Sequence, residues 1–590
     1  MNPWMLIAAG LLIGSVPGTV FLIWASWVNP FFMDGLLSYS FWAFLLPSIP
    51  VVLFGGYRYR KGRSLPHISR RALVGVSASW LILVVFCAYK PRPVLENTEM
   101  LVVGWDGATF QQMDPLQKQG RLPEMDRLRQ EGTSAVLMSM EPMFSPLLWT
   151  SIATGKAPEE HGIQGFSVHA SDVQTPRFWD LVEQAGGGIG IYKWLVTYPP
   201  RVVKGFIVPA WLAPAPVTWP VELAVVKEIE LSNRLERRGQ AAKKSGLRLL
   251  MDGIRQGFRW STVRQAVGWK LREWREHPEP RDRRVALENL RVRMDRDVFI
   301  SVATRTDPEL LTFTLYSIDA LGHRFWAYHE PQAFPGLPPG DVEKYGEVVR
   351  EAYENADEVL GEFLARVPAE AIVVVLSDHG FKALKQGSAA KSFFSPKTER
   401  LQARLTQEVG PVDVFRVGQR LTVALRDSET SIEELFKAVD SLKDETGAPF
   451  FVAEQMPDAP RSVGLSVANE VVDAARIESG KVGGEPLGAY LELGTNYTGD
   501  HDPEGIFVIR GGGAVAGEAV RDMHLLDVSP TLQALLGHEP AQDLVGQVRF
   551  GETERGPASR DAWVEQFEWL ESESEETVNN AQLRALGYIQ

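Results

Sequence analysis

The chain has 590 residues, a formal net charge of −13 and a single cysteine, Cys87. That length allows several folding units, and the acidic balance disfavours a nucleic-acid duplex as partner, because phosphate binding relies on basic surface. With Cys87 inside an apolar segment, a disulfide framework, a cysteine zinc site and a cysteine nucleophile are all excluded within one chain, so any metal must be held by His, Asp and Glu.

Residues 1–90 contain three apolar stretches, about 4–27, 36–54 and 72–89. Each is close to the ~20 residues that a membrane-spanning helix needs. The first lacks the basic start of a signal peptide and is followed by two further stretches. Arg58, Arg60, Lys61, Arg63, Arg70 and Arg71 lie between the second and third, whereas 28–35 has no Lys or Arg. The positive-inside rule therefore predicts a three-helix anchor integral to the inner or plasma membrane. Its N-terminus is cytoplasmic, and everything after residue 89 is extracytoplasmic. Pro91-Arg92-Pro93 starts a short stiff linker over 91–97.

Residues 98–214 read as the first part of an α/β core. The run from Met100 ends in Asp106 and Gly107, and Leu122, Met125 and Leu128 follow at helical spacing. Ser145 precedes Pro146, which holds it out of the α region and places it in the turn before a helix, with Pro146 at the first helical position. Such a hydroxyl is either a helix cap or a nucleophile whose developing phosphate charge faces free backbone N–H groups. His161-Gly162-Ile163 comes close behind.

Residues 215–300 read as a helical, arginine-rich insertion with Trp260, Trp269 and Trp274. It is either an amphipathic lid with solvated charges or a surface suited to a lipid interface. The core resumes over 301–380. Here an apolar run leads to Asp319 and His323, whose i, i+4 spacing on a helix would put both on one face as metal ligands. Ala371-Ile-Val-Val-Val-Leu376 then runs into Ser377, Asp378, His379 and Gly380. A short β-branched run fits a strand buried on both faces of a parallel sheet, although periodicity does not exclude a buried helix turn. Ligands in open α/β sheets sit beyond the carboxyl ends of the strands, where Asp378 and His379 would lie. Residues 381–485 read as a second insertion or cap built of charged helix-like pieces. A third core part over 486–550 holds His501 in a loop leading into a strand, then a closing helix over 523–536 with Ser529 as a cap. An acidic tail over 551–590 follows, and no internal repeat is visible.

In order, the motifs are Gly104-Trp-Asp106-Gly, Phe144-Ser145-Pro, Asp319 and His323, Ser377-Asp378-His379-Gly, and Gly499-Asp-His501. This order and spacing resembles the alkaline phosphatase superfamily, in particular its type I phosphodiesterase/nucleotide pyrophosphatase branch. The resemblance implies an alkaline-phosphatase-like sandwich around a central, mostly parallel sheet, interrupted by the two insertions. It implies two Zn²⁺ ions, one held by Asp319, His323 and His501, the other by Asp106, Ser145, Asp378 and His379, with Ser145 as nucleophile. The branch commonly has threonine there, and a serine keeps the hydroxyl. Its nucleotide pyrophosphatases carry a phosphate-contacting asparagine shortly after the nucleophile, whereas Pro146-Leu147-Leu148 supplies no amide.

Mixed His and Asp ligation suits Zn²⁺, other divalent metals being compatible, and a two-metal site suits in-line phosphoryl displacement. The expected function is a membrane-anchored phosphodiesterase or phosphatase working through a phosphoryl-serine intermediate. Its substrate would be an extracytoplasmic or membrane-surface phosphoester, lipid-linked or a nucleotide. Two rivals use the same residues differently. One is a transferase passing the phosphoryl-linked group to a lipid or glycan, and the other is a non-enzymatic receptor on a phosphatase-like fold.

Overall fold

The computed structural model describes residues 95–551 apart from short segments, of which 238–245, 385–393 and 468–479 are the longest. The three apolar stretches read as spans, most of the linker and nearly all of the acidic tail lie outside the described residues. Among the described residues no helix is long and apolar enough to cross a membrane. The chain divides into two compact units, the larger comprising 98–220, 309–361 and the residues from 369 onward.

In the larger unit the first elements are β1 (Met100–Trp105), α1 (Phe110–Lys118), α2 (Pro123–Glu131), β2 (Thr133–Met138) and α3 (Ser145–Thr154). Next come α4 (Phe178–Gln184), β3 (Ile189–Tyr192) and β4 (Gly205–Val208). After the residues of the smaller unit, β5 (Leu310–Leu315) leads directly into the helix Ser317–His329, and the helix Val348–Leu364 leads to β6 (Ile372–Leu376) and β7 (Gly380–Ala383). Four strands follow, β8 (Val412–Val417), β9 (Arg420–Leu425), β10 (Phe451–Met456) and β11 (Ala459–Val467). The unit closes with β12 (Gly499–Asp502), β13 (Glu504–Arg510), β14 (Glu518–His524) and the helix Val528–Leu535.

The central sheet has eight strands in the order β14-β2-β13-β6-β1-β5-β3-β4. Only β13 runs against the rest: it is antiparallel to both β2 and β6, while the other neighbouring pairs are parallel. β1, β5 and β6 are apolar runs because helices cover both faces of a parallel sheet, leaving these strands no wet face. In register, Gly104 lies opposite both Thr314 and Leu376, so the carboxyl ends of three adjacent strands stop at one level. That shared edge places the site.

Three readings of local structure need correction. Residues 381–485 do hold two charged helices, Thr398–Val409 and Ile432–Ser441, but among the described residues they are not helical alone: β8–β11 form an antiparallel sheet, with buried Val412/Val414 and Leu421/Val423/Leu425 alternating at the period of strands. The closing helix begins at Val528, not near 523, because residues 518–524 pair with β2 as an outer strand. Ser529 lies within that helix and donates to the Ala153 carbonyl at 3.1 Å, so it is no cap. His501 lies in a strand and not a loop, since β12 pairs antiparallel with β7.

The smaller unit has, among its described residues, 95–97, 221–308 and 362–368. Beside α5 (Val225–Arg237) and α6 (Gly246–Gln256) it contains the hairpin α7 (Trp260–Glu276) and α8 (Pro280–Thr306). Asp297 locks the hairpin: its Oδ2 accepts from the Arg259 backbone at 2.9 Å and from Thr262 Oγ1 at 2.6 Å. Leu95, the first described residue of this unit, donates its N–H to the Arg366 carbonyl at 2.9 Å.

Candidate metal centre and active site

Asp106 follows β1, Asp319 sits in the first turn of α9 (our label for Ser317–His329) just after β5, and Asp378 and His379 follow β6. β1 is the middle of these three neighbouring strands, so the three aspartates converge from adjacent strand ends. His501 arrives from elsewhere: pairing of β12 with β7 sets it opposite Phe381 and stacks its ring on His379, centroids 3.7 Å apart. His323 lies one turn beyond Asp319 on α9, with Nε2 3.1 Å from Asp319 Oδ1. His501 Nε2 is 3.1 Å from His323 Nε2 and 3.4 Å from Asp319 Oδ1. All six sequence-predicted His and Asp ligands therefore meet at one edge.

The imidazoles share one orientation. Nδ1 lies 3.1 Å from the Gly499 carbonyl in His323, 2.9 Å from the Gly380 carbonyl in His379 and 2.8 Å from the Met143 carbonyl in His501. A carbonyl oxygen only accepts, so each Nδ1 carries a proton and each ring turns its Nε2 toward the carboxylates. A metal-ligating histidine is held in this way.

The carboxylates lack the partners that burial demands. Asp106 and Asp378 are buried, and among the described residues Asp106 Oδ1, both Asp378 oxygens and His379 Nε2 have no hydrogen-bond partner of good geometry, the Ser145 hydroxyl only approaching Asp378. Burial, then the charge of Asp378 and Asp319, raises Asp106 well above the usual carboxylate range, against the opposing indole N–H of Trp149. Burial pushes Asp378 up to about 8, with Asp319 adding to it and His501 and the Ser145 hydroxyl pulling the other way. Burial also depresses His379 well below the ordinary imidazole value, helped by neighbouring His501. For Asp319 burial would raise the pKa, but His323 and His501 outweigh it and hold the group well below. Unpaired buried acids beside inward-facing Nε2 atoms fit divalent cations, which would satisfy both at once. Two three-residue clusters meet the spacing of a metal site, Asp106/Asp378/His379 and Asp319/His379/His501, their ligand atoms within 4.8 Å of one another. His379 thus stands between the two groups into which the sequence divides the ligands.

Ser145 is half-buried at the first position of α3, and its hydroxyl bears on Asp378. Phe144 holds the N-cap position without any side-chain cap bond, so Ser145 lies one place further into the helix than the sequence suggests and does not cap it. His161 stays outside the cluster, its Nε2 3.1 Å from Ser151 Oγ in the core.

Four supporting residues had no role assigned from the sequence, although Gly104 and Ser377 stand in its motifs. Trp149, one turn after Ser145, donates its indole N–H to Asp106 Oδ2 at 3.0 Å. Gly104 makes room for it, since a Cβ there would stand 2.4 Å from the Trp149 ring. Ser377 joins two ligand-bearing turns by accepting from the Ala108 N–H at 3.0 Å and donating to the His379 carbonyl at 2.5 Å. Phe381 walls the site behind His323, with ring centroids 4.8 Å apart. The sequence signal for Trp149 was its i+4 spacing from Ser145, masked by a helix that is apolar nearly all round.

A family model described as type I phosphodiesterase/nucleotide pyrophosphatase matches residues 100–466. The chain belongs to that family. Membership makes the protein a phosphoester hydrolase by class, in a metal-dependent family, and agrees with the α/β mixed sheet. The match takes in Asp106, Ser145, Asp319, His323, Asp378 and His379 and ends before His501, which joins them through β12. No curated protein matches the chain at a significant level.

Proposed function

We propose that the protein is a membrane-anchored, two-zinc phosphodiesterase or phosphatase that works through a phosphoryl-serine intermediate. The observation that carries this reading is the convergence of three inward-facing Nε2 atoms with buried carboxylate oxygens beside the Ser145 hydroxyl. Asp319, His323 and His501 would hold one ion, and Asp106, Asp378, His379 and Ser145 the other. Zinc bound there supplies Lewis-acid stabilisation to the oxygens that gain charge in phosphoryl transfer. Ser145 bonds phosphorus and its hydroxyl proton ends on the ester oxygen, which departs with the electron pair of the broken P–O bond. Water then cleaves the phosphoseryl bond and restores the hydroxyl. The positive end of the α3 dipole lies where negative charge builds on the transferred group.

Leu147 and Leu148 are buried and supply no amide to a nucleotide phosphate, which favours another phosphoester at the membrane surface or in the extracytoplasmic space. The apolar stretches of 1–90 and their lysine/arginine bias support an integral anchor with a cytoplasmic N-terminus. The test is a panel of phosphomonoesters, phosphodiesters and lipid-linked phosphates offered to the full chain, with and without an alcohol acceptor. Hydrolysis lost on chelation and restored by zinc is the expected result. Turnover indifferent to prolonged chelation would overturn the metal reading, and product made only with acceptor present would make the enzyme a transferase.

A further inference from the structure

The hairpin α7–α8 carries an apolar surface that its own packing does not use. α7 buries Thr262, Val263 and Trp269 within the helical unit. A stripe of Val267, Leu271 and Trp274 stands at i, i+4 and i+7 and is 43%, 56% and 75% exposed. Val263, one turn before Val267 on the same face, is buried, so that face is covered at its N-terminal end and bare beyond it; exposed large apolar side chains in register mark an interaction surface. Basic residues border the stripe. At 100° per residue, Arg264 and Arg275 fall on one side of it and Lys270 on the other, all three exposed. Long cationic side chains in those positions can keep their charge in water while their stems follow an apolar layer. In total α7 has four basic residues (Arg264, Lys270, Arg272, Arg275) and two acidic ones (Glu273, Glu276), inside a chain of net charge −13. The helix is thus locally positive within an acidic chain.

Where the chain enters the unit indicates the occupant. The residues before Leu95 contain the three apolar stretches long enough to span a bilayer, and Leu95 itself is tied to Arg366 in the same unit as α7. Asn97 donates its side-chain amide to Asp307 at 3.0 Å, just beyond the end of α8. Five residues, 90–94, thus separate the last apolar segment from Leu95, in the unit whose hairpin has α8, of 27 residues, as its longer arm, extending about 40 Å at 1.5 Å per residue. We propose that α7 lies on the extracytoplasmic leaflet next to the anchor, with Val267, Leu271 and Trp274 in the acyl boundary and Arg264, Lys270 and Arg275 at the headgroups. The unit then acts as a surface rest that holds the chain against the membrane at a second point. The inference rests on the anchor reading of 1–90.

Single cysteines at Leu271, Trp274 and, as control on another exposed face, Gln265 would be introduced into full-length Cys87→Ala protein and labelled with a polarity-sensitive fluorophore. The protein would be reconstituted in phosphatidylcholine/phosphatidylglycerol vesicles. The labels at 271 and 274 should be quenched several-fold by nitroxide lipids and shielded from aqueous iodide, and the label at 265 should behave oppositely. Replacing Arg264, Lys270 and Arg275 together by Gln should reduce the lipid quenching. Iodide access at all three positions, or shielding at 271 and 274 that persists in detergent, would overturn the proposal, the latter by showing a protein cover. Failure of the anchor reading itself is distinguished by alkaline washing, which would then release the chain from the vesicles.

Discussion

Ser145 and Trp149 occupy successive turns of α3 and act on different members of the carboxylate cluster, Asp378 and Asp106. Since Ser145 caps nothing, Ser145→Ala has no cap energy of about 1 kcal/mol to lose. It should leave fold and most bound metal in place yet lower kcat by several orders of magnitude, while Ser145→Thr keeps measurable turnover. Steady-state kinetics beside metal analysis reads both, and near wild-type turnover in the Ala variant would end the covalent mechanism. Trp149→Phe keeps an aromatic ring but removes the donor to buried Asp106. Loss of such a ligand-orienting bond costs roughly 10- to 100-fold in metal affinity or activity, which a competitive chelator titration would detect. Unchanged affinity and activity would show that the indole only fills space.

At the scale of elements, the site depends on a short pairing between residues far apart in the chain. β12 brings His501 onto His379 only through its ladder with β7. A Cβ on Gly499 would lie 2.3 Å from the Phe381 ring and 2.7 Å from the Gly322 carbonyl. Gly499→Ala should therefore displace β12, weaken zinc retention and activity, and leave circular dichroism nearly unchanged; full metal retention would show that β12 adapts. The sequence made the three aspartate-bearing strand ends legible, because strands covered on both faces read as apolar runs that stop abruptly at a polar residue. Asp319 and His323 were legible too, from helical spacing alone. The strand Gly499–Asp502 was not, since Gly-Asp-His-Asp has no apolar alternation and its partner lies over a hundred residues away. In β8–β11 the alternation is present but diluted by charged residues, which made it resemble amphipathic helix. That His379 serves both ligand clusters follows from the stacking of two rings, which no spacing rule encodes.

At the scale of the whole molecule, each unit has its own electrostatic dependence. In the helical unit burial alone would raise the Glu362 carboxyl, but Arg259 and Arg366 outweigh it and hold it at about 2, against an ordinary 4.5. The carboxylate therefore stabilises the fold above about 4.5, and this contribution fades as pH falls toward about 2. Glu362→Gln should destabilise the protein at neutral pH and flatten its acid-unfolding curve over that window, as followed by thermal melts; an unchanged slope would assign the acid sensitivity elsewhere. In the larger unit Asp180 is fully buried between Arg177 Nε at 2.9 Å and Arg201 Nη2 at 2.6 Å. Asp180→Ala strands two buried guanidinium groups, and about 3–5 kcal/mol of destabilisation is expected in denaturant titration. A loss below 1 kcal/mol would show that Glu183 or water replaces it.

The central claim is that the edge formed by Asp106, Ser145, Asp319, His323, Asp378, His379 and His501 is a two-metal phosphoryl-transfer site. Elemental analysis of the gently purified full chain tests it most directly. Close to two zinc ions per chain are expected, since seven candidate ligands fill two sites. The His323→Ala variant should fall to about one, because Asp106, Asp378 and His379 remain intact. One ion or none in the wild-type protein would contradict the site described here.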